Sequence, residues 1–415
     1  MKNKLIFIVL FFVLLSFLSC GETKTGSENK NENPDSENTN EDDICNDDNE
    51  LDDFEDSDDQ SEIIYEISVE TERFEGTTCR SIAIDRDNNI YIAGERHNEA
   101  YLAKINSDLK EEWRFIWDEK NWQSASSVIV VNDNVFVAGD MLNYEEVRDF
   151  GFLSKFDKNG NEIWRKNIDS SRDIGYIRIT SDEKGNIYIS GGTDGSLEGF
   201  ENPSEDESDA IFMKFDNNGE LIWMKQFGDE KSESIRDITI DSNGNIYGAG
   251  FTSINYQMHT QYIIKYDKDG NYQWDKSYGS GYIWAIEVDS KDNVFATGVQ
   301  NGSIVFYEVD QGGTKISEKN YGSGVGMGLA CGKDSSLYLS GYSTGESFLV
   351  KMDGSGNGLW SVKWGNGNNE QEQKVAVGPN DEIFVSYYEH ILVTDDEYYD
   401  NMKRVIISRI TEEVE

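Results

Sequence analysis

IRDITIDSNGNIYGAGF (Ile235 to Phe251), followed by QYIIKYDKDGNYQWDKSYG (Gln261 to Gly279), is one statement of a pattern that the chain makes seven times. The preceding copy reads IRITSDEKGNIYISGG (Ile177 to Gly192), then DAIFMKFDNNGELIWMKQFG (Asp209 to Gly228). Each copy runs as an apolar strand, an Asp-x-x-Gly-Asn turn, an Ile-Tyr-x-x-Gly strand, a loop, a Phe-x-x-Lys-Phe strand, a second acidic turn and a Trp-bearing strand. Short alternating segments rich in Ile, Val, Tyr and Phe between Gly/Asn/Asp turns predict antiparallel hairpins. Gly reaches positive φ freely, and Asp and Asn side chains bond nearby backbone, which suits these turns.

The second strands of the seven units start at Ile90, Val135, Ile187, Ile246, Val294, Leu337 and Ile383, at intervals of 45, 52, 59, 48, 43 and 46 residues. Four strands per unit make a blade. Radial packing of such blades leaves only short edges, so the expected fold is all-β, a single seven-bladed propeller of four-stranded antiparallel blades. The second unit, VIVVNDNVFVAG (Val128 to Gly139), lacks its first-turn Gly and is the weakest point of the count.

The chain ends at Glu415 after VIISRI (Val405 to Ile410) without a Trp strand, whereas EIIYEISV (Glu62 to Val69) precedes the first unit as an orphan. Aligned with EIWRKNI (Glu162 to Ile168), it places Tyr65 where Trp164 sits. Residues 62–72 are therefore expected to complete the seventh blade and close the ring.

The N-terminus predicts the address. Lys2 and Lys4 precede an apolar run, Leu5 to Leu18, of signal-peptide length and short for a membrane span, ending at Ser19-Cys20. This resembles a bacterial lipoprotein signal, with Phe17 and Leu18 departing from the usual Leu and small residue. Cys20 is then the lipidated mature N-terminus; the alternative is an ordinary cleaved signal and a secreted product.

Residues 20–61 are rich in Asn, Ser, Glu and Asp and nearly devoid of apolar side chains, which predicts an extended, self-repelling tether. Its acidic run, Glu41 to Asp59, lacks the spaced ligands and Gly of a calcium loop. The expected division is signal peptide 1–19, tether 20–61 and propeller 62–415.

Formal net charge is −43, from 80 acidic and 37 basic residues. Nucleic acid and anionic lipid surfaces are excluded as expected partners, because like charge repels. Beyond Cys20 the cysteines are Cys45, Cys79 and Cys331. Three cannot form a closed disulfide set; a Cys45–Cys79 bridge stays open, and Cys331 aligns with Ile84 as a core thiol.

NIYISGG and DAIFMKFDNNGELIW resemble the bacterial beta-propeller repeat known as SBBP over most of residues 77–411. The third and fourth units match best, while the fifth has Glu308 for the Lys and Ser317 for the Trp. Members of that family are chiefly extracytoplasmic and without an assigned biochemical role, so the resemblance implies fold and location more than activity.

The Trp series (Trp113, Trp164, Trp223, Trp274, Trp360) is expected to fill the space between blades. The Lys series (Lys104, Lys155, Lys214, Lys265, Lys351, with Arg409) is expected to snorkel or to pair with turn acids; the sharper alternative, an anion-binding ring, is disfavoured by a position outside the channel. In the acidic turns the Gly comes fourth rather than sixth and no Glu closes the loop, so they read as hairpins rather than metal sites. The three histidines, His97, His259 and His390, fall in different units, and no nucleophile motif, phosphate cradle or distinguished carboxylate pair is present. No cofactor or metal is expected.

Connections from strand two to three and from strand four into the next blade emerge on one face, where the units differ most. Insertions there include Thr193 to Asp209, with Phe200, and Glu389 to Lys403, with Tyr398; shorter loops carry Trp122, Tyr144, Tyr256, His259, Tyr282, Trp284 and Tyr387. Variable loops on a rigid scaffold are where recognition usually lives. These nine residues are the candidate binding face.

The expected function is a cell-envelope lipoprotein acting as a non-enzymatic binding or scaffold module, at the outer membrane or cell surface. Its expected partner is an envelope or extracellular protein, or a glycan, with the membrane engaged through the lipid alone. The alternative is an envelope enzyme, either a glycan lyase or hydrolase or a quinoprotein-like oxidoreductase.

Overall fold

One carboxylate holds each Asp-x-x-Gly-Asn hairpin. Asp241 Oδ1 accepts the backbone N–H groups of Asn243 and Asn245 at 3.0 and 2.8 Å. Its Oδ2 accepts the Asn245 amide at 2.8 Å and the Tyr247 hydroxyl at 3.2 Å. Gly244 finishes the turn at φ +82°. The same set recurs around Asp85 and Asp182, so the Asp, Asn and Tyr of the repeat form one hydrogen-bonded unit. At the exposed Asp157, the Asn161 side-chain amide, followed by its backbone N–H, holds the carboxyl below its ordinary range. These acids are structural.

The protein's structure is a computed structural model that describes residues 5–7, 65–75, 78–96, 99–117, 123–143, 148–202, 207–228, 231–254, 258–364, 371–391 and 402–414. Seven antiparallel sheets form a seven-bladed propeller. The innermost strands of blades 1 to 7 are Ser81–Ile84, Gln123–Val131, Ile174–Ser181, Ser232–Ile240, Tyr282–Val288, Val325–Cys331 and Gln371–Val377. The doubtful second unit is a full blade. Asn132 and Asp133, at φ 49° and 61°, make a two-residue turn where the other units use a Gly loop.

Ring closure comes from the N-terminal strand Tyr65–Glu75, which pairs along Met402–Val414 as the fourth strand of blade 7. A three-residue strand, Leu5–Phe7, lies against its outer edge. The register corrects the expected alignment. Tyr65 faces Val414; the residue opposite Arg409, where other blades carry the Trp, is Glu70. Glu70 and Arg409 form an ion pair in place of the Trp–Lys pairing, a chemical exchange that a Trp-to-Tyr alignment could not find.

The Trp and Lys series latch neighbouring blades. Trp113, Trp223 and Trp274 donate Nε1–H to Lys158 O, Lys268 O and Gln311 O, each in the outer turn of the next blade, at 3.1, 3.4 and 2.8 Å. Lys155, Lys214 and Lys265 reach the turn carbonyls of Asn217, Lys268 and Gln311 at 3.1, 3.3 and 3.2 Å. Turn carbonyls, rather than turn acids, are therefore what these lysines find. In blade 5, which lacks both residues, the Tyr321 hydroxyl donates to Gly356 O at 2.5 Å. Lys351 pairs with Glu412 at 2.6 Å between blades 6 and 7, and Arg409 donates to Ser107 O at 2.6 Å between blades 7 and 1. Glycine is required where the Trp lies: a Cβ on Gly313, at φ +80°, would meet the Trp274 ring at 2.8 Å.

Inner strands are joined in the same spirit. Ser81 Oγ accepts Val128 N–H at 3.1 Å, Ser127 Oγ accepts Ile179 N–H at 3.2 Å, and Asp237 Oδ2 accepts Ile286 N–H at 3.0 Å. Cys331 is half-buried on the blade 6 inner strand rather than fully in the core; burial, then Glu287 and Asp289, push its thiol pKa up. Cys79 is buried, with Sγ 3.3 Å from Ser81 O.

Candidate functional site: the mouth of the central channel

In blades 2 to 7 the inner strand slips register by a bulge near its start, at the face that carries the strand-two-to-three loops. A bulge inserts a residue without a cross-strand partner and re-aims its side chain. Ser126, Tyr176, Arg236, Trp284 and Met327 are residues so displaced in blades 2 to 6. The sequence signal for them is positional: Arg236, Trp284 and Met327 each lie ten residues before their unit's second strand, which begins at Ile246, Val294 and Leu337.

Three of these residues meet. The Arg236 guanidinium carbon lies 3.8 Å from the Tyr176 ring centroid, 5.1 Å from Phe251 and 5.3 Å from Trp284. Tyr282 stacks on Trp284 at 5.7 Å and packs on His259 at 4.6 Å and Phe251 at 4.8 Å. His259 in turn packs edge-on against Phe251 at 5.1 Å. Blades 3, 4 and 5 thus build a six-residue aromatic and arginine cluster. Tyr176 is 55% exposed and holds φ +58°, an uncommon conformation for a bulky residue. Burial pulls the Arg236 pKa below its ordinary value, with Tyr176 and Tyr282 as its polar neighbours.

The opposite side of the mouth is polar and internally paired. Arg80 binds Glu95 at 2.5 Å, and Ser126 donates to Asp140 at 3.1 Å. Burial pushes the Asp140 carboxyl up to about 6. Arg178 donates to Ser126 O at 3.1 Å. Below, a cavity of about 240 Å3 follows the channel, where Arg178 and Lys374 face Asp237 and Glu287. Burial, then Asp237, pushes Glu287 up to about 8. Burial also raises Asp237, against the pull of the Ile286 N–H, Lys374 and Arg178.

Among the sequence candidates, the fold brings His259, Tyr282 and Trp284 together and adds Tyr176, Arg236 and Phe251, which no motif marked. Tyr282 and Trp284 stand on an inner strand rather than a loop. Phe200 packs against the blade 3 core, beside the buried Leu197, so the described first part of the insertion, residues 193–202, is held down on that core. Tyr387 is 8% exposed, inside the strand Ile383–Ile391, and packs on Trp364 at 5.5 Å; it belongs to the core because that strand runs longer than the loop reading allowed. Cys20, Cys45, His97, Trp122, Tyr144, Tyr256 and Tyr398 lie outside the described residues, as do the signal segment beyond Leu5–Phe7 and the tether. Among the described residues no group of three or more His, Cys, Asp or Glu is placed to hold a metal ion.

Residues 75–95 and 222–257 match the model of the SBBP beta-propeller repeat. No curated protein matches the chain. Among solved structures, a catalytically inactive virginiamycin B lyase from Staphylococcus aureus with Quinupristin is similar at 9% identity and TM-score 0.51, over 81% of this chain and 99% of that one. YCF48 bound to D1 peptide is similar at 11% identity and TM-score 0.50, over 82% and 94%. The Dos1 propeller is similar at 8% identity and TM-score 0.51, over 82% and 93%. At such identities the likeness is one of fold.

Proposed function

We propose that this protein is a non-enzymatic binding or scaffold module of the bacterial cell envelope, anchored through lipid on Cys20 and working through the mouth of its channel. The observation that carries the reading is the cluster of Tyr176, Arg236, Phe251, His259, Tyr282 and Trp284, drawn from three blades onto one face. Large aromatic groups with a polar handle, at a rigid and partly exposed site, are what recognition surfaces use. The YCF48 and virginiamycin B lyase structures, each holding a ligand, support the capacity of this fold to bind.

A photo-crosslinking residue placed at Tyr176, compared in intact cells with one at Tyr272, tests it. Both sites are 55% exposed, but Tyr272 stands on the outer strand of blade 4. A specific envelope adduct from position 176 and none from 272 supports the mouth. Adducts that do not distinguish the two positions refute it.

A further inference from the structure

We propose that the channel mouth binds a small organic monocarboxylate carried on a ring, with Arg236 as partner of the carboxylate and Tyr176, Tyr282 and Trp284 as contacts of the ring. The proposal rests on the reading of the mouth as the working face and adds the chemistry of the ligand.

Arg236 differs from the arginines that are neutralised within the fold. Arg80, Arg86, Arg114, Arg148 and Arg409 each hold a carboxylate. Arg236 has no carboxylate within ion-pair distance among the described residues, in a chain with 80 acids to 37 bases. Its neighbours are the ring faces of Tyr176, Phe251 and Trp284, with the neutral hydroxyls of Tyr176 and Tyr282 as its polar contacts. A half-buried charge is ordinarily paired, since desolvation without a partner is costly. Stacking on rings offsets only part of that. What remains is an appetite for an anion.

Unpartnered donors belong to the same cluster. Arg236 Nε, Trp284 Nε1 and His259 Nδ1 are buried without a hydrogen-bond partner. The first two are donors in every state, and the third is one in either its protonated form or one neutral tautomer. The complement of such a set is an acceptor, and the planar guanidinium fork fits a carboxylate best. Tyr176 keeps its ring over the guanidinium at φ +58°, an unfavourable conformation for a bulky residue that is tolerated where the surroundings or a site require it.

The protein's own field sets the ligand's size and charge. A polyanion approaching a chain of net charge −43 is repelled over its whole length. A small monoanion feels mainly the local arginine, because at physiological salt more distant charges are screened beyond about 8 Å. Ring faces at Tyr176, Tyr282 and Trp284 then favour a carboxylate mounted on a flat aromatic or a sugar ring over acetate.

The test is binding of benzoate and glucuronate to the full-length protein, against benzyl alcohol, glucose and acetate, by ligand-observed NMR and calorimetry at low and high salt. At least one ring carboxylate is expected to bind saturably, more weakly at high salt, and better than acetate or its neutral analogue. Arg236→Gln is expected to weaken it about tenfold or more, and Arg236→Lys to restore only part, since Lys lacks the fork. Near-ultraviolet circular dichroism identifies a variant that has lost its fold, and Trp284→Phe, expected to weaken binding severalfold, then takes its place. No binding by either ring carboxylate, equal binding by the neutral analogues, or affinity unchanged in a folded Arg236 variant overturns the proposal. Failure here together with a specific adduct at position 176 refutes the ligand class and leaves the working face standing.

Discussion

Replacing Glu287 by Gln tests the electrostatics of the channel. Glu287 lines the cavity on the blade 5 inner strand, and Asp237 on blade 4 is the neighbour that raises it further after burial. Asp237 is committed elsewhere, accepting Ile238 N–H and Ile286 N–H at 3.0 Å each. The Glu287 carboxyl moves from 4.5 to about 8 on folding. Below pH 4.5 it is protonated in both folded and unfolded chains and contributes nothing to the difference. Between pH 4.5 and 8 the unfolded chain ionises while the folded one stays protonated, so the group erodes stability as pH rises, and the loss is complete above pH 8. At about 1.36 kcal/mol per pH unit the ceiling is roughly 5 kcal/mol. Water in the channel and coupling to Asp237 cut this, and about 2 kcal/mol is expected. Urea midpoints of wild type and Glu287→Gln across pH 4 to 9 read it directly, because the difference between the two removes the titration of all other acids. The variant is expected to match wild type at pH 4 and to gain steadily to pH 9. A difference that is flat with pH, or a variant less stable at pH 9, refutes the reasoning.

Deleting residues 65–75 removes the fourth strand of blade 7 and the Glu70–Arg409 pair, and is expected to abolish the single cooperative thermal transition seen by calorimetry. Gly313→Ala is expected to cost at least about 1 kcal/mol more than Gly302→Ala in urea unfolding: both sit near φ +80°, but only the first meets a Trp ring, while the second has nothing within 4 Å. Equal costs would show that the Trp274 joint is loose. Cys20→Ser is expected to end incorporation of a fatty-acid analogue and release the protein from membranes; labelling that survives the substitution excludes the lipid anchor.

Fold and site differ in how far they could be read from sequence, and the residues show why. The hairpin unit of Asp241, Asn245 and Tyr247 is local: three side chains within seven residues, with the backbone N–H groups of Asn243 and Asn245, satisfy one another, so the chemistry repeats wherever the hairpin does. The latch is nearly as visible, since Trp274 needs both a carbonyl and a bare Gly313 in the next unit. Closure was legible as an extra strand but not in its register: the observed pairing lies five residues from the Trp-to-Tyr alignment, an odd shift that exchanges the two faces, and it sets Glu70 opposite Arg409 where a Trp-based alignment has no signal to find it.

The mouth is built the other way. Tyr176, Arg236 and Trp284 stand at equivalent bulges in successive blades and share no chemistry, so no motif unites them; what unites them is the backbone that turns each toward the axis. A repeat that conserves the hairpin and the latch leaves the bulge position free to vary, because the residue there carries no ladder partner to satisfy. That freedom separates stability from recognition. The polar side of the mouth, where Arg80 already holds Glu95, has satisfied its charge internally, whereas Arg236 is left among rings with no acid beside it among the described residues. A ring of seven similar blades therefore acquires one distinctive sector without disturbing its joints, and that sector is where a ligand of opposite charge has most to offer.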